Sequence, residues 1–171
     1  MDVGAPNAPA NKYYFDNIKL QIVTKGNTIP LTPEEKKEAL TRAMNNWIEG
    51  MMKATGGYVT TWDVVNEAIS GGGNDGEGFY VLQSASNAGA DAANNFYWQD
   101  YLGSEDYVRI VVAAARKYYA ENGGVKPLKL FINDYNLEST WDNNQKAKSL
   151  VHWIEKWESD GVTKIDGIGT Q

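Results

Sequence analysis

The sequence predicts an α/β fold that is part of a (β/α)8 TIM barrel, with a short β-strand near the N-terminus. After residue 28, helical and strand patterns alternate as α-β-α-β-α-β, which is typical of a parallel sheet with right-handed helical crossovers. Each of the three strands ends in polar residues, and functional side chains sit at that end of the strands in such barrels. The 171 residues are fewer than the roughly 250 of a complete barrel, so we expect part of one.

The composition indicates a globular domain and argues against several classes of partner. Hydrophobic residues make up 42% and charged residues 22%, as in soluble proteins with a packed core. The net charge of −6 argues against nucleic acid and against anionic membrane surfaces as partners. There is no cysteine, and no His/Asp/Glu group has the spacing of metal ligands, so we expect no disulfide, metal or other cofactor.

Residues 1–28 are expected to form a separate N-terminal tail. Residues 1–11 are rich in Pro, Ala, Asn and Gly, whereas residues 13–23 alternate between apolar and polar side chains and predict a β-strand. Residues 24–28 form a polar linker. The first residues lack the basic start and apolar stretch of a signal peptide, so we expect any export signal to lie outside this chain.

The first helix has a well-marked beginning and end. Thr32 is a suitable N-cap, Pro33 fits the first helical position and Glu35 completes a capping box. Residues 56–57 are two glycines, which end the helix, and a strand is predicted over residues 58–66. The apolar positions that recur at helical spacing and are expected to face the core are Leu40, Met44, Trp47, Ile48 and Met51.

A long, glycine-rich connection is predicted over residues 70–103. Loops of more than about 15 residues are usually functional or disordered. Its glycine run, residues 71–73, is not followed by a Walker lysine and lacks the spacing of a dinucleotide-binding loop. A phosphate site is therefore disfavoured.

Two further helices and two strands follow this connection. Ser104 is expected to cap the second helix, which ends at residues 122–124, and residues 128–133 form the next strand. The third helix is predicted over residues 142–159 and the last strand over residues 165–169. The positions expected to face the core are Val108, Val111, Val112 and Ala115 in the second helix, and Leu150, Val151, Ile154 and Trp157 in the third.

The polar residues at the C-terminal ends of the three strands are the candidate functional residues. Asn66 and Glu67 lie at the end of the first strand. Residues 133–136 lie at the end of the second strand, and Gln171 lies at the end of the third. The ends of parallel strands share one edge of a sheet, so Glu67 would bring a carboxylic acid to the mouth of the barrel. Its position alone is equally compatible with the start of a solvated loop. Six Trp, ten Tyr and four Phe are expected mostly in the core, and some of them in a carbohydrate site.

Three segments together resemble one enzyme family. Residues 62–68 (WDVVNEA), 132–136 (INDYN) and 165–171 (IDGIGTQ) resemble, in order and spacing, three successive barrel strands of glycoside hydrolase family 10, the endo-β-1,4-xylanases. The resemblance covers about residues 29–171. It corresponds to strands four, five and six of the family's barrel, with the helices between them.

The resemblance implies hydrolysis of internal β-1,4-xylosidic bonds in xylan by a retaining mechanism with two carboxylates. Glu67 matches the family's general acid/base, and Asn66 matches the asparagine that holds a sugar hydroxyl near the cleaved bond. Tyr135 and Gln171 match residues of the sugar-binding site. The implied partners are xylan and xylo-oligosaccharides, and the implied location of the full-length protein is extracellular or periplasmic.

The resemblance is partial. The family's nucleophilic glutamate lies on the seventh strand, and this chain ends at Gln171, one strand earlier. We therefore expect either a non-catalytic fragment that only binds xylan, or a chain that self-associates or pairs with a chain carrying the missing strands. Residues 13–20 resemble the closing strand of a β-sandwich carbohydrate-binding module. Residues 1–28 thus look like the end of an inserted module, and residues 29–171 like part of a family 10 catalytic domain.

A few other side chains are weaker candidates for a role in the site. Asp134 and Glu138 follow a neighbouring strand and are alternative candidates for the second carboxylate. His152 lies within the third helix and is expected at its surface or in packing rather than in catalysis. Trp153 and Trp157 are four residues apart and are expected to pack within the helix layer, with sugar contact as the less favoured alternative.

Overall fold

The computed structural model describes residues 29–171, of which residues 31–171 form one compact unit. The predicted strand over residues 13–23 and the expected tail over residues 1–28 lie outside the described residues. The elements, in chain order, are α1 (Pro33–Thr55), β1 (Thr61–Asn66), a 3₁₀ helix (Gly89–Ala93), α2 (Gln99–Leu102), α3 (Asp106–Glu121), β2 (Lys129–Asp134), α4 (Gln145–Glu158) and β3 (Gly167–Thr170). Within this part of the chain, no helix is both long enough and apolar enough to cross a bilayer.

The three strands form one parallel sheet in the order β1-β2-β3, as the sequence predicts. Asn66 lies opposite Asn133, and Asn133 lies opposite Gly169, so the strands end along one side of the sheet. We call this side, formed by the carboxyl ends of the strands, the C-terminal edge. The register of β1 shifts between Asp63 and Val65, and a bulge of this kind changes the direction of the side chains that follow.

The side chains of β2 alternate between two environments. Leu130, Ile132 and Asp134 are fully buried, and the two apolar residues join the core formed with α3 and α4. Asn133 projects from the opposite face of the strand. A Cβ atom on Gly169 would lie 2.5 Å from the Asn133 Oδ1 atom, so a larger residue at position 169 would displace this amide.

The predicted start and end of α1 are confirmed. The Thr32 hydroxyl accepts a hydrogen bond from the Glu35 N–H at 3.2 Å, and the Glu35 carboxylate accepts one from the Thr32 N–H at 2.8 Å. Pro33 is the first helical residue, and Gly56 ends the helix in a left-handed conformation with a φ of 53°. These contacts satisfy groups that a helix end would otherwise leave without hydrogen bonds.

The predicted apolar face of α1 is wrong at two positions. Met44 is buried, but Trp47 is 72% exposed and Met51 is 37% exposed. The helix packs against α2 and α3, and Met52 rather than Met51 completes the buried face with Met44. Trp47 and Met51 instead border an open cavity of about 830 Å³ beside β1.

The connection over residues 70–103 contains regular structure that the sequence does not predict. It includes the 3₁₀ helix and α2, and Leu82 pairs with Ile69 in an isolated antiparallel bridge. Leu82 and Leu102 are buried in the core. Single apolar residues between glycines give no periodic pattern, so the sequence indicates the length of the connection but not its packing.

The beginnings of α3 and α4 differ from the prediction. Ser104 does not cap α3, which begins at Asp106. The Ser104 carbonyl instead accepts a hydrogen bond from the Trp157 indole N–H at 2.9 Å. The helix α4 begins at Gln145 rather than at Asp142. The Asp142 carboxylate accepts hydrogen bonds from the first backbone N–H groups of α4, so this residue belongs to the cap and not to the helix.

The buried face of α4 is predicted correctly except at one position. Leu150, Trp153 and Trp157 are buried and share one stripe of the helix, which agrees with a packing role for both tryptophans. Ile154 is partly buried against the core, but Val151 is 47% exposed because it is turned by about 100° from Leu150. The predicted face of α3 is confirmed, since its four predicted residues are buried: Val108, Val111, Val112 and Ala115.

Candidate active site

Glu67 directly follows β1 at the C-terminal edge and has an unusual backbone conformation. Its φ of 52° lies in the left-handed region, which non-glycine residues rarely adopt. Its N–H donates to the Asn133 carbonyl at 2.8 Å, and its carbonyl accepts a hydrogen bond from the Gln83 side-chain amide at 2.6 Å. The backbone of Glu67 is therefore held on both sides of its Cα atom.

The Glu67 carboxylate is bound by a residue that follows β3, the strand at the opposite side of the sheet from β1. The Gln171 Nε2 atom donates to Glu67 Oε1 at 2.8 Å, although the two residues are 104 positions apart in the chain. The Gln171 N–H donates to the Asp134 carbonyl at 3.2 Å, and the Gln171 carbonyl accepts from the Asn136 N–H at 3.3 Å. The end of β2 thus positions Gln171, and Gln171 positions the carboxylate.

Asn66 joins the same network through Asn133. The Asn133 Nδ2 atom donates to Asn66 Oδ1 at 2.9 Å, and the Asn133 carbonyl binds the Glu67 N–H. Asn66 is exposed and Glu67 is half-buried, so both side chains are accessible to solvent. The structure therefore brings Asn66, Glu67 and Gln171 together at the C-terminal edge.

Tyr135 follows β2 at this edge and has a half-buried side chain. Its N–H donates to Asp134 Oδ1 at 2.9 Å, and the Lys146 Nζ atom lies 3.2 Å from the centre of its ring. The Asp134 carbonyl accepts the Gln171 N–H, so Tyr135 and Gln171 are connected through Asp134.

The geometry supports neither Asp134 nor Glu138 as the second carboxylate. Asp134 is fully buried and forms an ion pair with Lys146, whose Nζ atom is 2.8 Å from Asp134 Oδ1. Glu138 accepts a hydrogen bond from the Thr170 hydroxyl at 2.8 Å. Its own backbone N–H and this hydroxyl lower the pKa of Glu138. Thr170 follows Gly169 in the strand and projects from the opposite face of β3, away from the hydrogen-bonded side chains of Asn66 and Asn133.

A second polar cluster, which sequence spacing does not reveal, joins the 70–103 connection to α4. Potential ligand atoms of Asp75, Glu77 and His152 all lie within 4.8 Å of one another. Lys156 already pairs with both carboxylates, with its Nζ atom 2.8 Å from Glu77 and 3.5 Å from Asp75. The His152 Nε2 atom is 2.9 Å from Asp75, and its ring stacks on Phe79 at 4.0 Å. These contacts agree with a packing role for His152.

The structure adds three supporting residues that the sequence pattern does not predict as part of the site. Gln83 binds the Glu67 carbonyl, and the Gln99 side-chain amide donates to the Gln83 carbonyl. Lys146 pairs with Asp134. Gln83 lies in the connection, Gln99 begins α2 and Lys146 lies in the first turn of α4, so no strand end marks them.

The chain is similar to known xylanases in sequence. Residues 25–171 match the sequence profile of Glycosyl hydrolase family 10. Over 144 residues the chain is 32% identical to endo-1,4-beta-xylanase A of Halalkalibacterium halodurans, which covers 84% of this chain and 29% of that protein. Over 144 residues it is 31% identical to the thermostable celloxylanase of Thermoclostridium stercorarium, which covers 84% of this chain and 30% of that protein.

Solved structures of xylanases resemble the fold described above. Xylanase B from Clostridium stercorarium F9 matches with a TM-score of 0.58 and 26% identity, over 83% of this chain and 35% of that one. Endo-1,4-beta-xylanase from Caldicellulosiruptor owensensis matches with a TM-score of 0.53 and 29% identity, over 79% of this chain and 32% of that one. The chain spans about 30% of the length of the two curated relatives. Because the family profile matches residues 25–171, which are most of this chain, the chain belongs to glycosyl hydrolase family 10.

Proposed function

We propose that the full polypeptide containing this chain hydrolyses internal β-1,4-xylosidic bonds in xylan with retention of configuration, and that Glu67 is its general acid/base. Membership of glycosyl hydrolase family 10 and similarity to proteins named xylanases support this activity. The observation that carries the assignment of Glu67 is its hydrogen bond from Gln171. This bond joins polar groups at the ends of two strands, on the side where barrel enzymes have their active sites.

Glu67 acts first as an acid and then as a base in this mechanism. Its protonated carboxyl donates a proton to the oxygen of the departing sugar, while a second carboxylate attacks the anomeric carbon. The ionised Glu67 then removes a proton from the water that releases the bound sugar. Gln171 holds one oxygen of Glu67 in both steps, the exposed Asn66 binds a sugar hydroxyl, and Tyr135 contributes to the sugar-binding surface.

The second carboxylate of a retaining enzyme lies about 5–5.5 Å from the acid/base. We assign β1, β2 and β3 to strands four, five and six of a (β/α)8 barrel, and place the second carboxylate on a strand that pairs with the open edge of β3. That strand belongs either to the same polypeptide or to an associated chain. Residues 29–171 are then part of the catalytic domain, and residues 1–28 are the end of an inserted carbohydrate-binding module.

Xylan and xylo-oligosaccharides are the partners that this function requires. Xylan is a large polymer outside the cell, so the full-length protein acts in an extracellular or periplasmic location. The mechanism uses carboxyl groups and water alone and requires no cofactor.

The direct test measures reducing-sugar release from xylan by the full polypeptide encoded with this sequence. Glu67→Gln keeps the shape of the side chain but removes its acid and base functions. We expect a loss of about 10²- to 10⁴-fold, the usual contribution of general acid–base catalysis. Glu49→Gln, an equivalent change at an exposed position of α1, should retain full activity. Equal rates for Glu67→Gln and the wild type would refute the assignment of Glu67.

A second candidate function is xylan binding without catalysis by the 171-residue chain alone. The burial of Asp134 and the orientation of Glu138 favour it, because neither offers the partner carboxylate that Glu67 needs. Calorimetric titration of the chain with xylo-oligosaccharides should detect weak binding without turnover. Turnover by the purified chain would exclude this alternative.

A further inference from the structure

We propose that Lys146 is a positioning residue of the active site, which holds Tyr135 directly and Glu67 through the buried carboxylate of Asp134. The inference rests on the proposed function, since it concerns the placement of the acid/base. Lys146 belongs to α4, behind the sheet, and the sequence pattern predicts no role for it.

Lys146 lies at a position that is unfavourable for a lysine. Its side chain is only 5% exposed, and a buried ammonium group is tolerated only when it is paired. It is the second residue of α4, and a positive charge in the first turn is disfavoured by the helix dipole. The stability of the helix therefore does not explain this residue, whereas its partners do.

The ammonium group of Lys146 contacts two residues at the end of β2. Its Nζ atom lies 2.8 Å from Asp134 Oδ1 and 3.2 Å from the centre of the Tyr135 ring. It makes no well-aligned hydrogen bond to the described residues, so charge attraction and the cation–π contact hold it. Loss of this charge would leave the Asp134 carboxylate buried without a counter-charge and the Tyr135 ring without its neighbour.

Asp134 connects Lys146 to the backbone that carries Glu67. Its Oδ2 atom accepts a hydrogen bond from the Ile69 N–H at 3.0 Å, and its Oδ1 atom accepts one from the Tyr135 N–H at 2.9 Å. Ile69 is fully buried and lies two residues after Glu67. A shift of Asp134 would therefore displace the backbone at Ile69, and this displacement would disturb the left-handed conformation of Glu67 two residues earlier.

The test compares Lys146→Met with Lys148→Met in the full polypeptide. Lys148 is exposed two residues further along α4 and provides a matched control. We expect kcat/KM on xylan to fall about 10- to 100-fold for Lys146→Met, as for a displacement of about 1 Å of a catalytic group, and to remain unchanged for Lys148→Met. An aryl xylobioside with a good leaving group needs little proton donation, so the loss on this substrate should be several-fold smaller.

A purely structural role would lower kcat/KM equally on xylan and on the aryl xylobioside, in proportion to the folded fraction of the variant. That result would overturn the proposal. An unchanged kcat/KM on xylan would also overturn it. If Lys146→Met does not fold, the double variant Lys146→Met/Asp134→Asn removes the unpaired charge and should restore folding. It should still show the selective loss on xylan, and wild-type kcat/KM in this variant would also overturn the proposal.

Glu67→Gln, measured in parallel, separates the two claims. A loss for Glu67→Gln without a loss for Lys146→Met refutes only the positioning role. An active wild type with no loss for Glu67→Gln refutes the proposed acid/base, and an inactive wild type refutes both claims.

Discussion

Glu67 keeps an unfavourable backbone conformation because its neighbours hold it. A left-handed φ, here 52°, costs a non-glycine residue on the order of 1–3 kcal/mol. The hydrogen bonds with Asn133, Gln83 and Gln171 contribute about 0.5–1.5 kcal/mol each. These terms are large enough to offset the strain, so the carboxyl group is aimed by fixed contacts.

Asp75 is expected to make the stability of the fold sensitive to acid. Burial alone would raise the pKa of Asp75, but the N–H groups of Glu77 and Phe79 outweigh this effect. Together with the His152 ring and the Lys156 ammonium, they lower the pKa of Asp75 from 3.8 to about 2. Because the folded-state pKa is below the unfolded value, the stabilising contribution of Asp75 is complete above about pH 4 and is lost as the pH falls towards about 2.

Urea unfolding of the wild type and of Asp75→Asn at several pH values checks this expectation. The free energy of unfolding of the wild type should fall more steeply than that of Asp75→Asn between about pH 4 and about pH 2, because the variant lacks the titrating group. Parallel pH dependences for the two proteins would contradict it.

Residues at strand ends could be predicted from the sequence, and those behind them could not. Asn66, Glu67 and Gln171 lie at the ends of predicted strands, and the ends of parallel strands share one edge of a sheet. Gln83 and Lys146 reach the site from a connection and from a helix, through contacts between residues far apart in the chain. Such contacts depend on the packed fold and leave no local pattern in the sequence.

The strand β3 carries a glycine, Gly169, where the Asn133 side chain of β2 projects towards it. In Gly169→Ala, the new Cβ atom would lie 2.5 Å from Asn133 Oδ1, so the amide must rotate away from Asn66. We expect a loss of about 1–3 kcal/mol in the free energy of unfolding, as for other overpacked sites. The same change at Gly50, in α1 with no atom within 4 Å of the new Cβ, should stabilise the protein by up to about 1 kcal/mol.

Urea unfolding midpoints of the two glycine variants provide the measurement. Equal stability of Gly169→Ala and the wild type would mean that β3 accommodates the methyl group without disturbing the network of Asn133. A loss of stability in Gly50→Ala would show that the comparison reflects a general sensitivity to alanine rather than the space at position 169.

Helices and strands were predicted where local chemistry determines them. The capping box of Thr32 and Glu35 is a contact between residues three apart, and the structure contains it. The exposure of Trp47 and Val151 was not predicted, because helical spacing shows that a face is apolar but not where its neighbours end. Ser104 failed as a cap because its region packs against Trp157, 53 positions away.

The described residues leave the parallel sheet open at both sides. β1 and β3 are its edge strands, and Ile168 of β3 is 43% exposed. On the side of β1, the open cavity is lined by exposed apolar residues that include Trp47 and Phe96. Edge strands of this kind favour pairing with another chain.

We therefore expect the purified 171-residue chain to self-associate. Sedimentation equilibrium should show a mass that increases with protein concentration. Ile168→Lys should weaken association by placing a charge on the edge strand, whereas Val162→Lys, at an 81% exposed position outside the strands, should not. A monodisperse monomer that unfolds cooperatively would contradict this expectation.

The proposed chemistry of the whole polypeptide depends most on Glu67 as acid/base, and the leaving-group dependence of Glu67→Ala tests this role most directly. Without the acid, hydrolysis of xylan should fall by about 10²- to 10⁴-fold, whereas formation of the covalent intermediate from an aryl xylobioside with a good leaving group should be little affected. Added azide, which needs no general base to attack the intermediate, should restore turnover of the aryl substrate. An equal loss on both substrates that azide does not restore would contradict the account.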